Sequence, residues 1–357
     1  MAQSSVLTVE LYFKSIFYFL FSIFQIGGFM SKFLLLGFAI LTGFVAQAAP
    51  DFADFIPVKN KKEIYVEYVK AQKGKPTIVL LNGLTYGLRQ YDSLANALIE
   101  RGVGVVRIDF QGMGQTLLKY APVTEPISYK TQVDDTKSVL TTLKIKSPYN
   151  FAGLSYGGGI GLAYAIRYPE DINNLILMAP YTQPLEGQDK WIKSQIWATR
   201  QMYPWNKYSD DDLYDYFLHQ IVYATYPQAE PIVLENPFKL DAVYNLVRGI
   251  RKYTPLDEVD NLPKKRVHLM MAGNDQYIPA KILNDFWDAL PKDVKLSRIK
   301  ISGVEHKMNE AAPNFTAAWL TEIMMANPLL QQGLDFEGNP YTGKAKAGKH
   351  VIDLMKD

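Results

Sequence analysis

Apolar residues in this chain follow two rhythms. Short continuous or alternating runs take turns with longer stretches of three-to-four-residue period. Ile64 to Val69 alternates, as a strand with one covered face does. Thr77-Ile78-Val79-Leu80-Leu81 is apolar throughout and suits a central strand covered on both faces. A helix is predicted from about Tyr91 to Arg101, a strand from Val103 to Asp109, and a helix from Ile127 to Ile145 with Val133, Val139, Leu140 and Leu143 on one face. A strand ending at Leu154 runs straight into a helical pattern opened by Ile160 and Leu162, and Asn174 to Met178 reads as another buried strand. After residue 261 come a strand at Val267 to Met271, a helix at Ala280 to Leu290, a strand at Lys295 to Ile301 and an amphipathic helix from about Asn314 to Met325. Strand alternating with helix predicts an α/β fold, a mostly parallel doubly wound sheet with helices on both faces.

The alternation breaks in three places, which divides the chain. From about Tyr181 to Asn261 it stops, and helical spacing in Trp191 to Met202 and Asp210 to Ile221 comes with many aromatic rings. An insertion after a strand's carboxyl end lies over the place where open sheets bind ligands, so 181–261 is expected to be a helical lid. From Asn327 onward the tail is rich in glycine and reads as loop. At the other end, Met30-Ser31-Lys32, the apolar run Phe33 to Val45 and the small residues Ala46-Gln47-Ala48 have the form of a secretory signal peptide cleaved after Ala48. The expected division is leader 1–48, core 49–180, lid 181–261, core 262–326 and C-terminal extension 327–357. A second apolar stretch, Ser15 to Met30, leaves two starts open. Either Met30 is the true first residue, or both stretches are real and tether the protein to a membrane. The expected location is secreted or periplasmic, with membrane tethering as the alternative.

Composition narrows the partners. Of 357 residues, 48% are hydrophobic and 21% charged, which is globular composition. The net charge is +2 with Lys and Arg dispersed, so there is no electrostatic case for nucleic acid. Cysteine is absent, which excludes disulfides, thiolate metal sites and cysteine nucleophiles. Only four histidines occur, His219, His268, His306 and His350, so the search for a general base is short.

The chemistry centres on Gly153-Leu154-Ser155-Tyr156-Gly157. A serine hydroxyl is a poor nucleophile and needs a sharp turn where a base can reach its proton and backbone N–H groups can reach an oxyanion. Glycines on both sides leave room for that turn. Two further polar residues stand at the carboxyl ends of predicted strands, Asp275 in Gly273-Asn274-Asp275 and His306 after Ser302-Gly303-Val304-Glu305. One helix and one strand separate them, enough to return both to one edge of the sheet. A histidine can take the serine proton while a carboxylate holds its ring. Asp257 and Asp260 are alternative carboxylates, and Glu305 is expected to face solvent. Gln111-Gly112-Met113-Gly114-Gln115 forms a glycine loop without the lysine and Ser/Thr of a phosphate cradle.

From residue 63 to 325 the chain resembles the α/β-hydrolase superfamily. Beyond the serine turn, Leu80-Leu81-Asn82-Gly83-Leu84 resembles its oxyanion loop. Asp109-Phe110-Gln111-Gly112-Met113-Gly114 is similar to its Asp-x-x-Gly-x-Gly turn, and His306 through Glu310 with Pro313 to its terminal histidine motif. The resemblance implies a serine hydrolase of carboxylic esters working through an acyl-enzyme on Ser155, with His306 as base then acid and Asp275 orienting it. It implies an oxyanion hole from the backbone N–H groups of Leu84 and Tyr156, and neither metal nor organic cofactor. Asn82 stands where the family has His and Gln111 where it has Arg. The aromatic insertion suggests a small apolar or acyl-bearing substrate, and contact with a membrane only through the N-terminal segment. A peptidase, a lactonase or a hydrolase of carbon–carbon bonds on the same scaffold stays open, as does a non-catalytic binding protein.

Overall fold

A computed structural model describes residues 49–84, 86–184, 186–229 and 237–355. The expected leader, 1–48, lies outside the described residues. One eleven-stranded sheet organises them, in the order β1-β2-β4-β3-β5-β6-β7-β8-β9-β10-β11. Its middle is parallel, from β4 (Gly104–Asp109) through β3 (Thr77–Leu81), β5 (Tyr149–Leu154), β6 (Ile172–Met178), β7 (Val267–Ala272) and β8 (Lys295–Ile301) to β9 (Asp335–Asn339). Every residue of β4, β5 and β7 is buried, which is why these strands are largely apolar and show no alternation of buried and exposed positions. On one side, β2 (Glu63–Val69) pairs antiparallel with β4, and β1 (Phe52–Pro57) antiparallel with β2. Only Ile56 of β1 is buried, too faint a pattern to announce a strand.

Helices flank this sheet. α1 (Asp92–Glu100) packs on α10 (Pro313–Met324), and α3 (Tyr129–Thr142) on α4 (Tyr156–Arg167). α8 (Ala280–Ala289) connects β7 to β8, and the short α9 (Met308–Ala311) precedes α10. A helix absent from the sequence reading, α2 (Gly114–Tyr120), starts inside the stretch expected to be a glycine loop. Thr116 Oγ anchors it by donating to the carbonyl of Asp109 at 2.5 Å.

Between β6 and β7 the chain forms α5 (Glu186–Met202), α6 (Asp210–Ala229) and α7 (Lys239–Ile250). They share a small core of Ile192, Ile196, Leu213, Leu218, Val222 and Val243. The third of these helices was not anticipated. It faces two ways, with Val243 in that small core and Leu246 and Ile250 in the main one. Its Asn245 side chain donates to the Val123 carbonyl at 2.8 Å, and its backbone carbonyl accepts from Ile127 N–H at 3.1 Å.

The tail corrects an expectation. Residues after Asn327 are not loop: β9 adds in parallel to β8, and β10 (Lys344–Ala347) and β11 (His350–Asp353) continue antiparallel. The β10 pattern is exposed-buried-exposed-buried, with Ala345 and Ala347 inward. Strands of four residues with alanine as their inward side chain have little hydrophobic signal of their own and form by adding to an edge already present.

Candidate active site

Ser155 joins the end of β5 to the start of α4 with φ 54° and ψ −115°, a region that residues with a Cβ rarely occupy. Its N–H donates to the Met178 carbonyl at 2.9 Å and its own carbonyl accepts from Tyr181 N–H at 2.8 Å, so the turn is held from the β6 side. The flanking glycines are required by space. A Cβ on Gly157 would lie 2.0 Å from the Leu81 carbonyl oxygen, and one on Gly153 2.4 Å from that of Gly157. Ser155 itself is half-buried. Tyr156 is the first residue of α4, so its N–H has no acceptor within the helix and sits at the positive end of the helix dipole.

Asp275 follows β7, and His306 follows β8. The carboxylate is divided between two tasks. Its Oδ1 accepts the N–H groups of Tyr277 at 2.9 Å and Ile278 at 2.8 Å, and its Oδ2 lies 2.8 Å from His306 Nδ1. An ionised carboxylate only accepts, so Nδ1 carries the hydrogen and Nε2 is the nitrogen left with a lone pair. His306 is 7% exposed, and its ring centre lies 5.2 Å from that of Tyr277. Because β5, β6, β7 and β8 are consecutive neighbours, Ser155, Asp275 and His306 leave the same carboxyl edge of the sheet. The structure thus brings Asp275 and His306 into contact and places Ser155 on the edge they share.

The other candidates lie elsewhere. Asp257 and Asp260 are in the turn Pro255–Asn261, with Asp257 facing the Thr254 hydroxyl at 3.2 Å. Glu305 is exposed. His219 stacks on Tyr223, His350 opens β11, and His268 is enclosed in β7 with Nδ1 2.7 Å from Ser297 Oγ. Burial without a counter-charge pushes His268 down to about 3, so it stays neutral and structural.

Leu84 lies in the loop leaving β3, and its side chain packs on both the main core and the core of α5–α7. That loop is braced from three directions. Gly83 N–H donates to Gln90 Oε1 at 2.8 Å, and Asn309, just past the histidine, donates to the Gln90 carbonyl at 2.7 Å. The buried Tyr91 hydroxyl donates to the Leu81 carbonyl at 2.8 Å and accepts Leu154 N–H at 3.1 Å, tying the ends of β3 and β5 together. Asp109 accepts N–H groups from Leu88 and from Gln115, and burial pushes its carboxyl up to about 6. The two departures from the superfamily pattern bond inside the protein. Asn82 donates to the Ile108 carbonyl at 2.6 Å, and Gln111 donates to Asp135 at 2.6 Å while accepting from Lys62 at 2.9 Å. Gln90, Tyr91 and Asn309 were missed in the sequence because each acts through bonds to distant backbone; Asn309 and Gln90 are 219 positions apart.

A mostly parallel sheet, a strained serine on its central turn and a paired Asp and His two and three strands away define an α/β-hydrolase enzyme. The family model described as serine aminopeptidase, S33, matches residues 72–309, and the chain belongs to that family. Over 128 residues, 34% of this chain and 39% of the relative, it is 30% identical to a cis-3-alkyl-4-alkyloxetan-2-one decarboxylase of Shewanella oneidensis. Over 123 residues, 32% of this chain and 40% of the relative, it is 32% identical to a 2-hydroxy-6-oxononadienedioate/2-hydroxy-6-oxononatrienedioate hydrolase of Paraburkholderia phymatum. The matched stretch therefore spans about two-fifths of these curated relatives. Among solved structures, an esterase from Exiguobacterium antarcticum aligns with TM-score 0.55 and 19% identity over 77% of this chain and 100% of that one. The enol-lactonase from Burkholderia xenovorans aligns with TM-score 0.54 and 17% identity over 76% and 99%. At such identities the likeness speaks for the fold.

Proposed function

We propose that the protein is a secreted or periplasmic serine hydrolase that cleaves carboxylic esters through an acyl-enzyme on Ser155. The observation that carries this reading is the 2.8 Å contact between Asp275 Oδ2 and His306 Nδ1, since it fixes the ring and reserves Nε2 for a hydroxyl. Ser155 Oγ attacks the ester carbonyl carbon while His306 Nε2 takes its proton. The oxyanion is held by the N–H groups of Leu84 and Tyr156, each donor worth about 10²- to 10³-fold in rate. Collapse breaks the carbon–oxygen bond, and His306 returns the proton to the leaving alkoxide. Water, deprotonated by the same Nε2, then releases the acid and frees Ser155.

The helices α5–α7 act in this reading as the lid, with Leu84 the point where they touch the oxyanion loop. The match to a hydrolase of an oxo-diacid supports a second reading, cleavage of a carbon–carbon bond by the same three residues, and the family description supports a third, peptide hydrolysis. A fluorophosphonate probe tests the common core. Labelling of the wild type is expected, with none in Ser155→Ala; a folded wild type that does not label is a binding protein instead. Turnover of short-chain esters above that of amides and vinylogous diketones then selects the first reading. Mass spectrometry of the exported protein, expected to begin at Ala49, tests the leader.

A further inference from the structure

A backbone N–H holds an oxyanion only where its loop places it, and the donors must stand ready before the charge develops. Among the side chains around the loop after β3, Gln90 is bonded on two sides. It lies in the turn Leu88–Tyr91 and is 7% exposed. Its Oε1 accepts the N–H of Gly83, the residue before Leu84, at 2.8 Å. Its main-chain carbonyl accepts from Asn309 Nδ2 at 2.7 Å. Asn309 belongs to the histidine side of the site: it lies in α9, whose first residue, Met308, donates its N–H to the His306 carbonyl at 2.9 Å. One residue therefore holds the oxyanion loop with its side chain and is held by the histidine loop through its main chain.

Three features fit a joint better than ordinary packing. A Cβ on Gly83 would lie 3.2 Å from Gln90 Nε2 and 3.3 Å from its Oε1, so the loop comes down on the amide about as closely as a residue without a side chain allows. Asn309 is fully buried, and its Oδ1 has no hydrogen-bond partner among the described residues. Burying half an amide unpaired is costly; an apolar side chain would pack there at less cost, and what the asparagine adds is the donor to Gln90. The turn is also fixed from a third direction, because Gln90 N–H donates to the Gly87 carbonyl at 3.1 Å and Leu88 N–H to Asp109. We propose that Gln90 is a positioning residue that joins the loop of the proposed oxyanion donor Leu84 to the loop of His306, so that a shift of either is passed to the other. Its effect on rate rests on the ester-hydrolase reading; the joint itself does not.

The test uses the full-length chain and two variants that cut the joint on opposite sides. Gln90→Met keeps the length of the side chain and gives up the amide that holds Gly83; Asn309→Ala removes the donor to the Gln90 carbonyl. With a short-chain ester, Gln90→Met is expected to lower kcat about 10- to 100-fold and to leave KM within about threefold. Affinity for a trifluoromethyl ketone, which takes up the serine oxygen and presents an oxyanion with no leaving group, is expected to fall in step with kcat/KM. The double variant is expected to lose less than the product of the two single losses, as members of one unit do. A lowered melting temperature with kcat and ketone affinity intact would make Gln90 a packing residue and overturn the proposal. Hydrogen exchange reads the joint without any substrate: Asn309→Ala is expected to speed exchange in residues 82–88 as well as in 306–312. Exchange in 82–88 equal to the wild type overturns the joint whatever the enzyme hydrolyses. Faster exchange there in a protein whose wild type cleaves no ester upholds the joint and removes only the ester reading.

Discussion

Ser155 holds a backbone conformation that costs about 1–3 kcal/mol in an ordinary residue, and the residues around it explain why the cost is borne. Gly153 and Gly157 let β5, β3 and α4 approach to distances that no Cβ allows. That necessity is visible in the sequence as Gly-x-Ser-x-Gly, and the lone suitable histidine and its carboxylate are visible from their places after strands. The supports behind them are not, because a side-chain bond to a remote carbonyl leaves no local pattern. Asp135 is one such support, and it gives a pH test. Burial raises its carboxyl from 3.8 to about 6, even though Gln111 donates to it, so the folded state favours the neutral form. Below about pH 4 both folded and unfolded chains hold the proton and there is no penalty. As pH rises from about 4 to 6 the unfolded chain releases its proton first, and the folded state loses stability relative to it. Asp135→Asn removes that titration while keeping an acceptor for Gln111. Its stability is expected to gain on the wild type between pH 4 and 7 by at most ~3 kcal/mol, measured by urea denaturation across that range. Parallel curves for the two proteins would refute the account.

At the scale of elements, legibility followed burial. Strands β3, β5, β6 and β7 are covered on both faces, and their runs of apolar residues can be read directly. Helix α7 was in principle legible, since Ala242, Val243, Leu246 and Ile250 recur at helical spacing, but its apolar stripe is split between two cores and its neighbourhood is crowded with aromatic rings. The joints between elements depend on single side chains. Tyr91 at the start of α1 links the ends of β3 and β5, which carry the oxyanion loop and the serine. Tyr91→Phe keeps the ring in the core and removes one donor to Leu81 and one acceptor for Leu154 N–H. A loss of about 1–3 kcal/mol is expected. With ester substrates the larger effect should fall on kcat, with KM little changed, because the two strand ends set the distance between Ser155 and the proposed oxyanion donors, the N–H groups of Leu84 and Tyr156. A fall in stability with kcat intact would make Tyr91 a packing residue only.

For the whole molecule, the extension after Asn327 is part of the sheet and not an appendage. The carbonyl of Leu334, just before β9, accepts from Arg298 N–H at 3.2 Å, and that of Gly338 within β9 accepts from Ser302 N–H at 2.8 Å, so β9 fixes the end of β8 from which the His306 loop departs. Phe336 packs edge to face on the buried Trp319 at 5.2 Å, and a Cβ at Gly338 would be 2.7 Å from the Phe315 ring. Arg298 forks onto the two carboxylate oxygens of Asp335, Nε at 3.0 Å and Nη2 at 2.5 Å. On this side the sheet ends at β11, an edge strand only four residues long, and short edge strands discourage pairing with another chain. A chain ending at Gln332 would therefore expose the unpaired edge of β8 together with Trp319 and Phe315. It is expected to be recovered largely as aggregate, and any soluble fraction to melt well below the wild type and to label weakly with a fluorophosphonate, since the loop bearing His306 has lost its neighbour. A soluble monomer of wild-type melting temperature and labelling would show that the sheet closes at β8 without help, and that the terminal strands serve something other than the site.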